Sequence, residues 1–165
     1  MAQAERIASS RFSALLRGNN GVEAHCANLV TAENLSIPVI TGANLLEQNI
    51  SLDLAEKSTH LRYPAVHVFC ERLQNTLREK FRRFSGTATL VADVRVSHEH
   101  CDSLLQQLQI YVQSITDVLD TNRGNWGSGV YHAGAYDVTY GPAKRGGKNF
   151  VQSAQVRLEV HINLD

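Results

Sequence analysis

The chain has 165 residues, close to the usual size of one domain and long enough to bury a core without metal or disulfide staples. Sixteen basic residues balance sixteen acidic ones, which excludes a global field that would draw the protein onto nucleic acid or an anionic membrane. No apolar stretch approaches the ~20 residues of a membrane helix, and the charged start MAQAERIASSRF is unlike a signal peptide, so a cytosolic setting is expected.

From Ala4 to Leu16 the apolar positions Ile7, Ala8, Phe12, Leu15 and Leu16 recur at helical spacing, and the cluster Gly18-Asn19-Asn20-Gly21 stops that helix. A second short helix is expected to start after an Asn20 cap and run through Val22, Cys26, Leu29 and Val30, until Ser36-Ile37-Pro38 forces extension. Residues 38–62 hold the short apolar piece Pro38 to Ile40, then Leu45, Leu46, Ile50, Leu52 and Leu54 without a clean period. Strand, short helix and ordered arm all stay open there. The three cysteines Cys26, Cys70 and Cys101 form no CxxC pair, and reduced, partly buried thiols are expected.

After Tyr63-Pro64 the character turns to β. AVHVFC suits a strand entering a core, with proline tolerated only at its start. ERLQNTLREKFRR, residues 71–83, carries Leu73, Leu77 and Phe81 four apart, yet enough charge for a long solvated hairpin connection. Both readings remain open. Thr87 to Val96 alternates, placing Ala88, Leu90, Ala92, Val94 and Val96 on one face and Thr89, Val91, Asp93 and Arg95 on the other, as in a half-buried strand. Ser97 is then expected to cap the strongest helix, His98 to Leu119, whose stripe is Leu104, Leu105, Leu108, Tyr111, Val112, Ile115, Val118 and Leu119. The turn-rich segment 121–129 leads to a strand over Val130 to Tyr140, and a glycine-rich basic loop follows. The last strand, Ala154 to Leu164, sets aliphatic residues at even positions against Gln155, Arg157, Glu159, His161 and Asn163 on a polar, wet face.

These elements predict a single α+β domain over residues 1–165, with a helical N-terminal part and arm over 1–62 and a β-β-α-β-β core over 63–165. Its mainly antiparallel sheet of about four strands would carry a long helix packed on one face, plus the N-terminal helices.

Few residues offer chemistry. AKRGGK, Ala143 to Lys148, lacks the GxxxxGK[ST] spacing of a phosphate loop and has no helix after it. Its cations Lys144, Arg145 and Lys148 suit either a solvated hairpin tip or contacts to an acidic partner or DNA phosphate once copies form a ring. His98-Glu99-His100 offers two imidazoles and a carboxylate at a spacing poorly suited to a helical metal site, so no metal is expected. No GxSxG, HExxH or cysteine nucleophile signature appears, and neither catalysis nor a cofactor is expected. Trp126, Tyr131, Tyr136 and Tyr140 could stack nucleobases, but in phase on strands they read as core or interface.

The succession Tyr63-Pro64-Ala65-Val66-His67-Val68, the alternating strand into Ser97-His98-Glu99-His100, the long helix and the final GPAKRGGKNFVQSAQVRLEVHINL resembles tail terminator proteins of long-tailed bacteriophages, over roughly the C-terminal two-thirds. That resemblance implies a virion structural protein of the tail and neck, assembled in the host cytoplasm, without enzymatic activity or cofactor. Its copies would form a hexameric ring that caps the tail tube and joins it to a head connector or stopper, with DNA passing through the lumen without sequence-specific binding and no membrane partner. Lys144, Arg145 and Lys148 would then be lumen or partner contacts. Another neck or head-completion ring protein, a tube protein of related fold, a small nucleic-acid-binding module, a hydrolase with a spatially assembled site and a monomer with ordinary loops are the alternatives.

Overall fold

The structure, a computed structural model, describes residues 2–51, 62–76 and 81–165. Leu52, Leu54 and Leu77, left open above, lie outside the described residues.

Helix α1 spans Ala2–Arg17, and its buried face repeats every four residues at Ala4, Ala8, Phe12 and Leu16. The small alanines let the first turns approach the sheet closely, while the Phe12 ring stacks on Trp126 with centroids 5.9 Å apart. A Cβ on Gly21 would lie 2.3 Å from the Leu16 carbonyl oxygen, so this turn admits only glycine. That glycine, and not Asn20, is the N-cap of α2 (Val22–Ala32), and no side chain caps this helix. Within the stretch left open, residues 42–44 form a 3₁₀ turn in which Thr41 N–H donates to Asn44 Oδ1 at 2.8 Å. It delivers β1 (Leu45–Leu46), which pairs parallel with Val66 and His67 of β2 (Ala65–Asn75).

Strand β2 pairs antiparallel with β3 (Phe84–His98), and β3 pairs along its whole length with β8 (Asn149–Leu164), from Phe84 opposite Leu164 to His98 opposite Phe150. The other side of β8 is shared by three short strands, β7 (Lys144–Gly146), β6 (Tyr136–Tyr140) and β5 (Val130–His132). Beyond β5 lies β4 (Gly124–Gly127). Among the described residues the result is one curled, half-barrel sheet of eight strands.

This overturns the expected sheet of about four strands beneath one long helix. Three segments read as turn, loop or open stretch supply β1, β4 and β7, and the strand expected over Val130 to Tyr140 is two strands. Gly134, at φ +113°, breaks it and lets β5 and β6 meet β8 at separate positions. Nor is the inner face covered by one helix. Helix α3 (Asp102–Thr121) packs on β3 and β8, α1 lies across β2, β3, β8 and β5, and α2 packs on α3.

The start of α3 also differs from expectation. Ser97 and His98 remain in β3 because their pairing with Val151 and Phe150 extends the ladder beyond the alternating apolar run, so Ser97 is no cap and the helix opens after Cys101. Its stripe is buried from Leu104 through Leu119 except Leu105, which is 46 % exposed. Tyr111, buried in that stripe, donates its hydroxyl to the Pro38 carbonyl at 2.6 Å and accepts from Gln107 Nε2 at 3.0 Å. This ties the segment after α2 to α3. The last strand begins at Asn149, five residues before the expected Ala154, and its even positions from Ala154 to Ile162 are buried as the alternation requires. No described helix is long and apolar enough to cross a membrane.

Candidate functional site

The three cations singled out above lie on one hairpin. Gly146 pairs with Asn149, which leaves Gly147 and Lys148 as a two-residue turn, and Gly147 takes the positive φ of +65° that the first position of such a turn favours. Lys144, Arg145 and Lys148 are exposed, and none has an ion-pair partner among the described residues. Neighbours along a strand point to opposite faces, so Lys144 and Arg145 diverge while Lys148 sits at the tip. The three charges therefore surround the tip and do not form one patch. Beneath it runs an open groove lined by Tyr63, Ser97, Lys148 and Val151.

The outer face of the sheet, remote from the helices, has two halves. Toward the end of β8, Glu159, His161 and Asn163 are exposed, as expected for a wet face. Toward its beginning the face is buried, and β3 is not the half-buried strand its alternation suggested. Val91, Asp93 and Arg95 are buried there beside Ala65 and His67 of β2 and Val151 of β8. Arg95 Nη2 reaches Asp93 Oδ2 at 2.9 Å and also donates to the Ile50 carbonyl, which fixes the segment after β1 against this face.

His67 stands opposite Asp93 in the register and is fully buried, with neither ring nitrogen hydrogen-bonded among the described residues. Burial, helped by the Arg95 guanidinium, pushes its imidazole down to about 4, so it is neutral at pH 7. Burial also raises the Asp93 carboxyl, against the pull of Arg95. Sequence reading missed this cluster because Asp93 and Arg95 sit at alternate positions, where charged side chains normally meet water. The one clue was Val91 in the same phase.

Between the halves Arg157 grips Glu71 with two hydrogen bonds of 2.8 Å, and that fork holds the Glu71 carboxyl below the usual carboxylate range. A groove beside it is lined by Thr89, Tyr136, Asp137, Arg157, Glu159 and His161, a polar surface whose central cation is already paired.

Of the aromatic residues, Trp126 is core. It stacks on Phe12, lies 5.2 Å from the His132 ring and donates its indole N–H to the Asn122 carbonyl at 2.7 Å. Tyr136 is half-buried with its hydroxyl on Asp120, whereas Tyr131 and Tyr140 are 49 % and 42 % exposed. At the end of β3 the His98 ring accepts the backbone N–H of His100 at 2.9 Å, which turns the chain toward α3. No group of three or more His, Cys, Asp or Glu side chains among the described residues is placed to hold a metal ion. Cys26, Cys70 and Cys101 are free thiols.

No protein-family model matches the chain, and a search of curated proteins finds no match.

Proposed function

We propose that the protein is a structural component of a phage neck, a tail terminator whose copies close a hexameric ring that caps the tail tube and joins it to the head connector. The observation that carries this reading is the basic hairpin, which sets three exposed cations, without ion-pair partners among the described residues, around a tip at the margin of the sheet. Repeated around an axis, such tips meet a lumen or a neighbouring ring, where DNA phosphate and acidic surfaces are the complementary partners. The exposed Tyr131 and Tyr140 suit contact surfaces for the same reason.

The test is complementation of a phage that lacks the protein, with capped tails counted by negative-stain electron microscopy. Rings on tube ends and restored infectivity support the proposal. The same hairpin also favours a nucleic-acid-binding module, and salt-dependent retention of DNA by the monomer, without rings or tail capping, would support that reading instead.

A further inference from the structure

We infer that copies of the chain join by extending the sheet, the edge of β2 that no described strand covers pairing antiparallel with the corresponding open edge of β6 in the next copy. The inference rests on the self-assembly reading above and specifies its contact.

Beyond Val66 and His67, where β1 lies alongside, β2 is paired only on its β3 side, so among the described residues no strand meets its other edge over Val68–Gln74. Strand β6 is likewise paired, among the described residues, only with β8. Unpaired strand edges carry rows of backbone donors and acceptors and template further pairing. The β2 edge is accessible, since an open groove runs beside Val68–Cys70 between the first turns of α1 and residues 47–49.

The two edges match face by face. Residues paired across a sheet share a face, so Cys70 (opposite Leu90) and Leu73 (opposite Ala88) lie on the helix side, as do Val138 (opposite Val156) and Tyr140 (opposite Ala154). All four are half-buried or exposed, and joining the edges would cover them. On the outer face β2 carries Arg72, opposite Thr89, and β6 carries Asp137, opposite Arg157. Both are exposed, and Arg72 has no ion-pair partner among the described residues.

Direction follows from topology. The order β2, β3, β8, β6 alternates at each step, so β6 runs opposite to β2. A rotation that continues the sheet head to tail keeps each copy's strand directions, so the new pair is antiparallel and the contact is heterologous, the kind that closes into a ring. The irregularity between Cys70 and Arg72 and the charges on β2 oppose indiscriminate pairing, and Asp137 is the complement that admits the correct neighbour.

The experiment is a charge swap read by sedimentation velocity and native mass spectrometry on the full chain. Arg72→Glu and Asp137→Arg should each reduce assembly roughly tenfold or more while leaving Tm unchanged, and the double variant should recover it. Under oxidation, Val138→Cys in a Cys101→Ser background should form an intermolecular disulfide with Cys70, whereas Thr139→Cys, on the opposite face, should not. A wild-type protein that assembles while both charge variants assemble normally, or while the swap fails to recover, overturns the edge pairing and leaves the ring standing. A protein that stays monomeric at every concentration, with no disulfide formed, overturns both.

Discussion

His67 is a histidine kept neutral by its surroundings, and it predicts how stability responds to acid. Its imidazole titrates near 4 in the fold against 6.5 when free, so between those values the unfolded chain takes up a proton that the folded chain refuses. Stability should therefore fall as pH drops from about 6.5 to about 4, by up to roughly 3 kcal/mol from this group. Asp93 acts the other way, because its raised folded value makes the native state bind a proton first as pH falls. His67→Gln isolates the histidine: the difference in stability between variant and wild type should change by that amount across the window, measured by urea denaturation at a series of pH values. A difference independent of pH would place the imidazole in contact with water. Removing Arg95 should be more severe, about 3–5 kcal/mol for Arg95→Met, because Asp93 and the Ile50 carbonyl lose their shared donor. Apart from Val91 in the same phase, little of this was legible in the sequence, where a histidine in a strand and two charges at alternate positions carry no mark of what lies over them.

At the scale of elements, legibility followed periodicity. The helical repeat of Phe12 and Leu16 and the even positions of the last strand were read correctly because one buried face imposes a period over several turns or residue pairs. Short strands have no such signal. Leu45–Leu46 and Lys144–Gly146 become strands only because β2 and β8 are there to pair with them, and Gly134 divides what alternation alone joined. Likewise Ser97 resembles a cap in local sequence, but its partner Val151 holds it in the ladder. The stripe of α3 gives a direct test of phase. Leu108→Ala should cost about 2–5 kcal/mol through the cavity it opens, while exposed Gln109→Ala should stay within about 0.5 kcal/mol. Val160→Asp, a carboxylate at a position with no exposure on β8, should abolish soluble expression.

For the whole molecule, the proposed assembly is testable separately from the fold. Replacing Lys144, Arg145 and Lys148 together by serine should leave the thermal midpoint nearly unchanged, since exposed and unpaired charges contribute little to stability. On the neck-ring function proposed above, capping of tails and recovery of infectious particles should fall sharply. Full activity of the triple variant would reduce the hairpin to a solvated tip. The candidate site was legible in the sequence as a cluster of cations between glycines, but its geometry was not, because only the pairing of Gly146 with Asn149 decides that Lys144 and Arg145 diverge.

The position of β8 has a consequence for biosynthesis. It follows every other described element along the chain, yet it is the direct neighbour of β3, β5, β6 and β7. A ribosome that has made everything up to Lys148 therefore holds a chain whose longest strand, β3, lacks the partner that spans its full length, with its apolar side chains uncovered. The sheet closes only after β8 emerges, by pairing residues as distant as Phe84 and Leu164, and such non-local closure is slow. The nascent protein should depend on chaperones until then, and chains stalled upstream of Asn149 should be degraded or aggregate.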